Sequence, residues 1–373
     1  MKFRHKLRAE LETPLEQRPL GSGWLSGMLA FLLGAGSLVL AVCRAFPGLF
    51  ITPQLRLLFD HPWFSIGLMA AMLLSFALAL VNQALRPSRI LSLAAIGLTL
   101  VAGLISQFGA VKTSPDGIFF GLDFFMLNVV LTGLLFIPLE RLSPLKRQQR
   151  LFRNEWREDL LYYLVSSMMV QVLTFLAMAP ANLIVAETAW QSFRALVFGL
   201  PLVVQVVAIM FFTDLIQYWL HRAFHRVPAL WRFHAVHHSA KSMDWIAGAR
   251  MHFLEVIVLR GVTAIPMFTL GFDPQAIQIY LLIVYFYSAF IHANIGWNLK
   301  PVERLFATPR FHHWHHGEER EAIDVNFAIH FPLFDRLFGT LHMPQGRWPN
   351  AYGINGHPVP HGYWQQFLYP FRR

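Results

Sequence analysis

Apolar runs of about twenty residues recur along this chain, and that feature constrains the fold more than any other. A helix needs about 20 residues to cross the roughly 30 Å hydrocarbon core of a bilayer, and a spanning segment must satisfy its backbone polar groups internally. Six stretches qualify, near 24–44, 62–83, 90–108, 118–139, 160–185 and 196–220. Two more, 254–271 and 275–296, are shorter or interrupted. Arg260 and Pro266 fall inside the first, and Gly271–Pro274 separates the pair. They read as a tight hairpin that need not cross completely. Composition agrees. Of 373 residues, 55% are hydrophobic and only 14% charged, against a usual charged share of about 25%. The expected fold is all-α, a polytopic membrane protein with a helical cap on one side.

The first run is too long for a cleaved leader, and no small-residue cleavage site follows before Arg44 and Pro47, so a signal-anchor helix is expected. Cys43 is the single cysteine, which excludes intramolecular disulfides, a cysteine-ligated iron–sulfur cluster and a CxxCH haem attachment. Any redox chemistry therefore needs electrons from another molecule.

The net charge of +10 does not point to nucleic acid, because the basic residues flank the apolar runs. Lys and Arg accumulate on the cytoplasmic side of membrane proteins. Lys2, Arg4, Lys6, Arg8 and Arg18 precede the first span, Arg86 and Arg89 lie between the second and third, and Arg141, Lys146, Arg147, Arg150, Arg153 and Arg157 follow the fourth. The intervening loops hold Lys112 alone and Arg194 alone, and the first loop, with Arg44 and Arg56, decides nothing. One orientation satisfies this pattern: N-terminus inside, even-numbered spans returning inside. In a bacterium the setting is the inner, plasma membrane. Four regions are expected: an interfacial segment (1–22), four spans with almost no candidate chemistry (23–140), a catalytic region (141–343) and a surface tail rich in Pro, Gly and aromatics (344–373).

Eleven of the seventeen histidines lie between 221 and 316. His221-Arg-Ala-Phe-His225 is an HxxxH, and His234-Ala-Val-His237-His238 an HxxHH. His312, His315 and His316 form a second HxxHH. Positions i, i+3 and i+4 share one helix face, so each group turns its imidazoles in one direction. At this histidine frequency one chance HxxHH arises in roughly 4% of such chains and two in about 0.1%, which makes packed or solvated surface histidines a poor account of the set. Eight imidazoles exceed the four ligands of a structural zinc or the three of a catalytic one, and suit two metals with open positions. His292, at the return end of the hairpin, is an expected ninth. His313 is rotated by about 100° from His312 and is left out. His252 is open between a role beside the metals and simple packing. His5, His61, His342, His357 and His361 read as surface residues. Span parity places all three boxes and the hairpin ends on one membrane side.

Imidazole serves zinc, copper, iron and nickel alike, so spacing leaves the metal open. HxxHH lacks the general-base Glu of the zinc-protease HExxH, and no Glu-x-x-His pairs suggest a carboxylate di-iron bundle. A metal-carrying transporter or a zinc-dependent membrane hydrolase is the alternative to an oxidative enzyme. Charged residues inside spans, which mark transport paths, are scarce: Asp123, Asp214 and Glu255 sit near span ends.

The run Asp214…Tyr218-Trp-Leu-His221…Leu230-Trp-Arg-Phe-His234-Ala-Val-His237-His238-Ser resembles the fatty acid hydroxylase/sterol desaturase superfamily. So do Thr308-Pro-Arg-Phe-His312-His-Trp-His315-His316-Gly and Asp324-Val-Asn326-Phe…Asp335-Arg-Leu-Phe-Gly-Thr340. The resemblance covers about residues 155–343. Its layout and the Tyr352-Gly353…Pro370 tail are closer to bacterial sterol-desaturase-like proteins and alkylglycerol monooxygenase than to yeast-type sphingolipid hydroxylases. It implies two iron ions held by the eight box histidines, O2 as co-substrate, and hydroxylation or desaturation of a lipid C–H bond. The lipid (fatty acyl, ether lipid, sterol or hopanoid-like, or an aminolipid) stays open. The implied electron donor is a reductase-fed cytochrome or ferredoxin, or a reduced pterin. Asp324, Asn326 and Asp335 match positions taken to lie behind the ligands, partnered by an imidazole or by an arginine such as Arg310 or Arg336. Phe120, Phe124, Phe125 and Phe136 are candidates to line a lipid groove.

Overall fold

The computed structural model describes residues 2–51, 59–107, 122–168, 190–356 and 358–372. Among them the chain is helical, without strands; a single isolated antiparallel bridge joins Gly317 and Tyr352. Arg56, Lys112, Phe120, His357 and the second half of the fifth expected span lie outside the described residues. Among the described residues five helices are long and apolar enough to cross a membrane: Trp24–Ala45, Pro62–Leu85, Ile90–Gln107, Leu202–Arg226 and Pro274–His292. The fourth expected span is helical over Leu122–Leu142 and the fifth over Trp156–Met168. The return arm of the expected hairpin thus has the length to cross. The entering arm, Phe253–Thr269, is 17 residues long and carries Pro266.

The chain divides into two compact units, 1–152 with 167–170 and 153–166 with 171–373. In the first, α1 (Lys2–Leu11) precedes α2 (Trp24–Ala45), α3 (Pro62–Leu85), α4 (Ile90–Gln107) and α5 (Leu122–Leu142). In lipid the drive to associate comes from close packing and polar contacts, so small residues gather at such interfaces. Helix α2 follows that rule. A Cβ at Gly27 would meet the Asn82 amide at 2.4 Å, and one at Gly34 the Ala95 carbonyl at 3.0 Å. Ala30, Ala79 and Ala95 are fully buried together. Ser75 donates to the Ala30 carbonyl and pairs with Thr99, both at 2.8 Å. Asn82 donates to the Gly23 carbonyl at 2.8 Å. Gly23, at φ 76°, starts α2 in a left-handed conformation that favours glycine. The outer faces of α3 and α4 leave Leu73, Leu74, Leu100 and Leu104 exposed, as a lipid-facing surface requires. Phe136 is buried.

The second unit holds α6 (Trp156–Met168) up to Ser166, α7 (Leu202–Arg226), α8 (Pro228–His238), α9 (Phe253–Thr269), α10 (Pro274–His292) and α11 (Pro309–His315). Helix α7 ends where Val227 precedes Pro228. A residue before proline is pushed out of the helical region, and Val227 is extended at φ −95°, ψ 114°. Pro228 then opens α8 at its first turn, where its missing N–H costs nothing. This sharp break turns the last turns of α7 back toward α8. Thr308 caps α11 by accepting from the Phe311 N–H, with Pro309 behind it. The C-terminal tail packs within this unit: Tyr363 against Tyr162, and Phe367 and Phe371 against His252.

Candidate metal centre

Box one lies on the last two turns of α7, box two at the end of α8, His292 at the end of α10 and box three on α11. Together they form two groups that could each hold a metal ion. His221, His225, His234, His238 and His315 offer ring nitrogens within 4.8 Å of one another; His237, His292, His312 and His316 do the same. All are buried except His225, which is partly so. Each HxxHH straddles the groups. In box two, His234 and His238 serve the first and His237 the second; in box three, His312 and His316 serve the second and His315 the first.

The protons of these imidazoles are fixed by what stands behind them. His221 Nδ1 donates to the Phe327 carbonyl and His315 Nδ1 to the Val325 carbonyl, both at 2.8 Å. His237 Nδ1 donates to the Arg250 carbonyl at 3.0 Å and His292 Nδ1 to the Ser288 carbonyl at 2.7 Å. His234 Nδ1 lies 2.5 Å from the buried Glu255 carboxylate, and His225 Nδ1 3.4 Å from Asp324. A neutral imidazole has one N–H, so each ring that donates to a carbonyl, and His234 where Glu255 is ionised, presents a bare lone pair at Nε2. Yet Nε2 of His221 and His234 lie 2.9 Å apart, and those of His237 and His292 3.3 Å. Two lone pairs at that distance repel unless a cation sits between them. A proton is a poor candidate, because burial pushes His234, His237, His238, His312, His315 and His316 well below the usual imidazole range, neighbouring imidazoles adding to it. A metal fits. Nitrogens about 2.0–2.1 Å from one ion at tetrahedral to octahedral angles lie about 2.9–3.4 Å apart. The unpartnered, buried Nε2 atoms of His225 and His315 point the same way.

The loop 324–331 frames this centre. It carries the Val325 and Phe327 carbonyls, and Asp324 and Asn326 in it adopt positive φ (60° and 56°), which Asp and Asn tolerate best among residues with a side chain. Asp335 accepts the Phe327 N–H at 2.7 Å, the Ala328 N–H at 2.9 Å and the Thr340 hydroxyl at 2.6 Å. Asn326 donates to the Phe311 and His342 carbonyls and accepts the His342 N–H. Asp214, on α7, accepts the N–H groups of Ile329, His330 and Phe331. Thus Asp335 and Asn326 bond neither an imidazole nor an arginine: they hold the backbone that holds the imidazoles. Asp324 does face a ligand, and it also pairs with Arg226 at 3.3 Å. Arg310 is bound instead to Glu303.

His252 stands apart. Its Nδ1 accepts the Leu254 N–H, its Nε2 donates to the Phe367 carbonyl, and Phe233 and Phe371 pack on the ring. With both nitrogens engaged it caps α9 and falls in neither histidine group. His313 likewise uses both nitrogens, on the Tyr352 hydroxyl and the His292 carbonyl. His330, which falls in no spacing pattern, is buried between Tyr280 and Tyr287.

Sequence spacing passes over Glu255, Arg250 and Gly248. Glu255 carried one signal, a carboxylate in the first turn of an apolar helix, which requires a partner. Arg250 bonds Glu155 at 3.0 Å and Asp159. Arg153 in turn bonds Asp159 and, through both ends of its guanidinium, Asp244. This buried charge network fixes the Arg250 carbonyl under His237. At Gly248 a Cβ would lie 2.9 Å from His292 Nδ1.

The fatty acid hydroxylase family model matches residues 206–340. An ornithine lipid hydroxylase, OlsE of Rhizobium tropici, is 28% identical over 279 residues, 74% of this chain and 82% of that protein. The alkylglycerol monooxygenase of Homo sapiens is 30% identical over 146 residues, 39% of this chain and 32% of that protein. The very-long-chain aldehyde decarbonylase CER1 of Arabidopsis thaliana is 29% identical over 139 residues, 34% of this chain and 22% of that protein. The chain thus spans most of the first relative but a third or less of the other two. No solved structure matches it significantly.

Proposed function

We propose, for a chain whose residues 206–340 belong to the fatty acid hydroxylase family, that it is a membrane-bound, O2-dependent enzyme hydroxylating or desaturating a lipid C–H bond at two iron ions. The observation that carries this reading is the facing of bare Nε2 lone pairs across two buried histidine groups. His221, His225, His234, His238 and His315 would hold one iron; His237, His292, His312 and His316 would hold the other. Bound iron would supply the electron changes at O2 that oxidation of an unactivated C–H bond requires, chemistry beyond any side-chain acid or base.

The chain's own part is positional. Four backbone carbonyls and Glu255 keep the proton on Nδ1, so that Nε2 is free to ligate and its basicity is raised. Burial keeps the imidazoles neutral. The apolar surroundings, Phe327 among them, exclude water from a reactive centre. Electrons must arrive from a separate donor, since Cys43 alone builds no cluster.

For the substrate class we take a polar membrane lipid. The match to the ornithine lipid hydroxylase covers 74% of the chain, a larger share than residues 141–373 make up, so it reaches into the N-terminal helices. The alkylglycerol monooxygenase match stops at 39%. The test is iron content of the purified protein together with lipidomics of cells with and without the gene under ¹⁸O2. Two irons per chain and one labelled oxygen in a lipid are expected, or loss of two hydrogens for desaturation. Zinc alone with no O2-dependent lipid change would overturn the reading in favour of a hydrolase. We further propose that the centre faces the cytoplasm, from the basic flanks of the apolar runs. A Ser239→Cys chain should label only from that side; labelling from outside reverses the orientation.

A further inference from the structure

The other concentration of charge in this protein lies in the first unit, far from any histidine box in sequence. There α2 and α4 begin and α3 and α5 end. Asn82 bonds Gly23, Arg86 pairs with Glu10 at 3.0 Å, and Trp24 Nε1 donates to the Glu10 carbonyl, which brings these ends together. A cleft of about 690 Å3 opens at this end. Arg8, Arg18, Arg141, Arg147 and Arg150 line it, against the carboxylates of Glu12 and Glu16.

Two of the arginines are not a solvated flank. Arg18 and Arg141 are each only 6% exposed. Arg18 stacks over Trp24 and donates to the Thr13 and Arg141 carbonyls. Arg141 donates to the Leu11 and Gln149 carbonyls and lies 3.4 Å from Glu12, while its Nε is buried with no acceptor. Glu12 is itself shared, accepting the Leu151 and Phe152 N–H groups. Burial and then the neighbouring Arg141 pull Arg18 down to about 10. At the rim, Arg147 and Arg150 are exposed and form no ion pair among the described residues. Keeping two guanidiniums buried side by side is costly, and the one carboxylate beside them, Glu12, is already shared with two backbone N–H groups.

We infer that this cleft binds a phosphate-bearing anion, its buried arginines forming the floor and Arg147 and Arg150 the mouth. The planar guanidinium fork matches phosphate oxygens two at a time; Arg147 and Arg150 offer such forks at the mouth, while Arg18 and Arg141, whose donors serve carbonyls, supply positive charge beneath them. The cleft is much larger than one phosphate ion. It also adjoins the ends of three helices long enough to span, the depth at which lipid headgroups lie. A phospholipid headgroup is therefore the expected source and inorganic phosphate the other. The site involves none of the metal-centre residues, so its test is independent of iron and of turnover.

The experiment measures thermal unfolding of the full chain in nanodiscs, in parallel with an Arg147→Gln/Arg150→Gln chain, whose changes are at exposed positions. Replacing part of the phosphatidylcholine with phosphatidylglycerol should raise the melting temperature, and the double substitution should halve or abolish that rise. Inorganic phosphate, compared with chloride at equal ionic strength in detergent, forms the second arm. A rise there that the double substitution removes, without a phosphatidylglycerol effect, supports the same site with a soluble ligand. Oleate, an anion without phosphate, is the control. An equal rise with oleate, an undiminished rise in the double variant, or no rise in either arm overturns the inference.

Discussion

The two units bury polar groups for different ends. In the first unit Ser75, Thr99 and Asn82 close helix–helix contacts that Gly27, Ala30 and Gly34 have already made short. Each bond there joins one helix to its neighbour, and small residues set the distance. In the second unit Asp214, Asn326 and Asp335 grip a loop, and the loop's carbonyls grip imidazoles. The bonds there run in series, and their product is the direction of a lone pair. The contrast teaches that close packing brings helices together with some tolerance, whereas a ligand set requires an angular precision that only chains of directional bonds supply.

If that contrast holds, substitutions should separate by how much iron a folded molecule keeps. The largest loss is expected from a ligand. His315→Ala should abolish turnover and lower iron per chain, whereas His313→Ala, outside both groups, should keep most of its iron. Full activity in His315→Ala would break the assignment. Next comes Glu255→Gln, which removes the carboxylate behind His234 while keeping its shape. Iron affinity or turnover should fall about 10–100-fold, read by iron release to a chelator, with an unchanged elution profile.

Asp335→Asn acts one bond further out. It turns an acceptor toward N–H groups into a partial donor, which costs about 1–3 kcal/mol per unsatisfied contact. A lower melting temperature and a smaller loss of iron than in Glu255→Gln are expected. An iron loss as large as that of a ligand variant would place Asp335 closer to the metal than its bonds to Phe327, Ala328 and Thr340 do. The smallest effect on iron belongs to Gly34→Leu in the first unit. Overpacking there costs about 1–3 kcal/mol and should lower the monodisperse yield, yet iron per folded molecule should stay at the wild-type value. Parallel loss of iron would erase the difference between the units.

Much of this molecule was legible in its order of residues, because the signals are local. Length and apolarity define a crossing helix by themselves, so the first three spans stand within a few residues of their expected places, while Leu202–Arg226 starts six residues late, after the break at Gly199–Pro201. Histidines at i, i+3 and i+4 share a face wherever a helix forms, so the nine ligand candidates could be named by spacing and topology. The tertiary structure decided how they divide. Adjacent His237 and His238 go to different groups because their side chains diverge around α8 and meet partners from α10 and α11. It also decided the proton positions. The Phe327 carbonyl stands 106 residues from His221, and that of Val325 10 from His315. Backbone carbonyls have no signature in a sequence. Glu255 lies 21 residues from His234 and becomes its partner only through the packing of α9 against α8. Asp335 illustrates the limit most plainly. Its residue type signalled a role behind the metal, but only the fold set it two bonds away, because a carboxylate binds whichever N–H groups the chain brings to it.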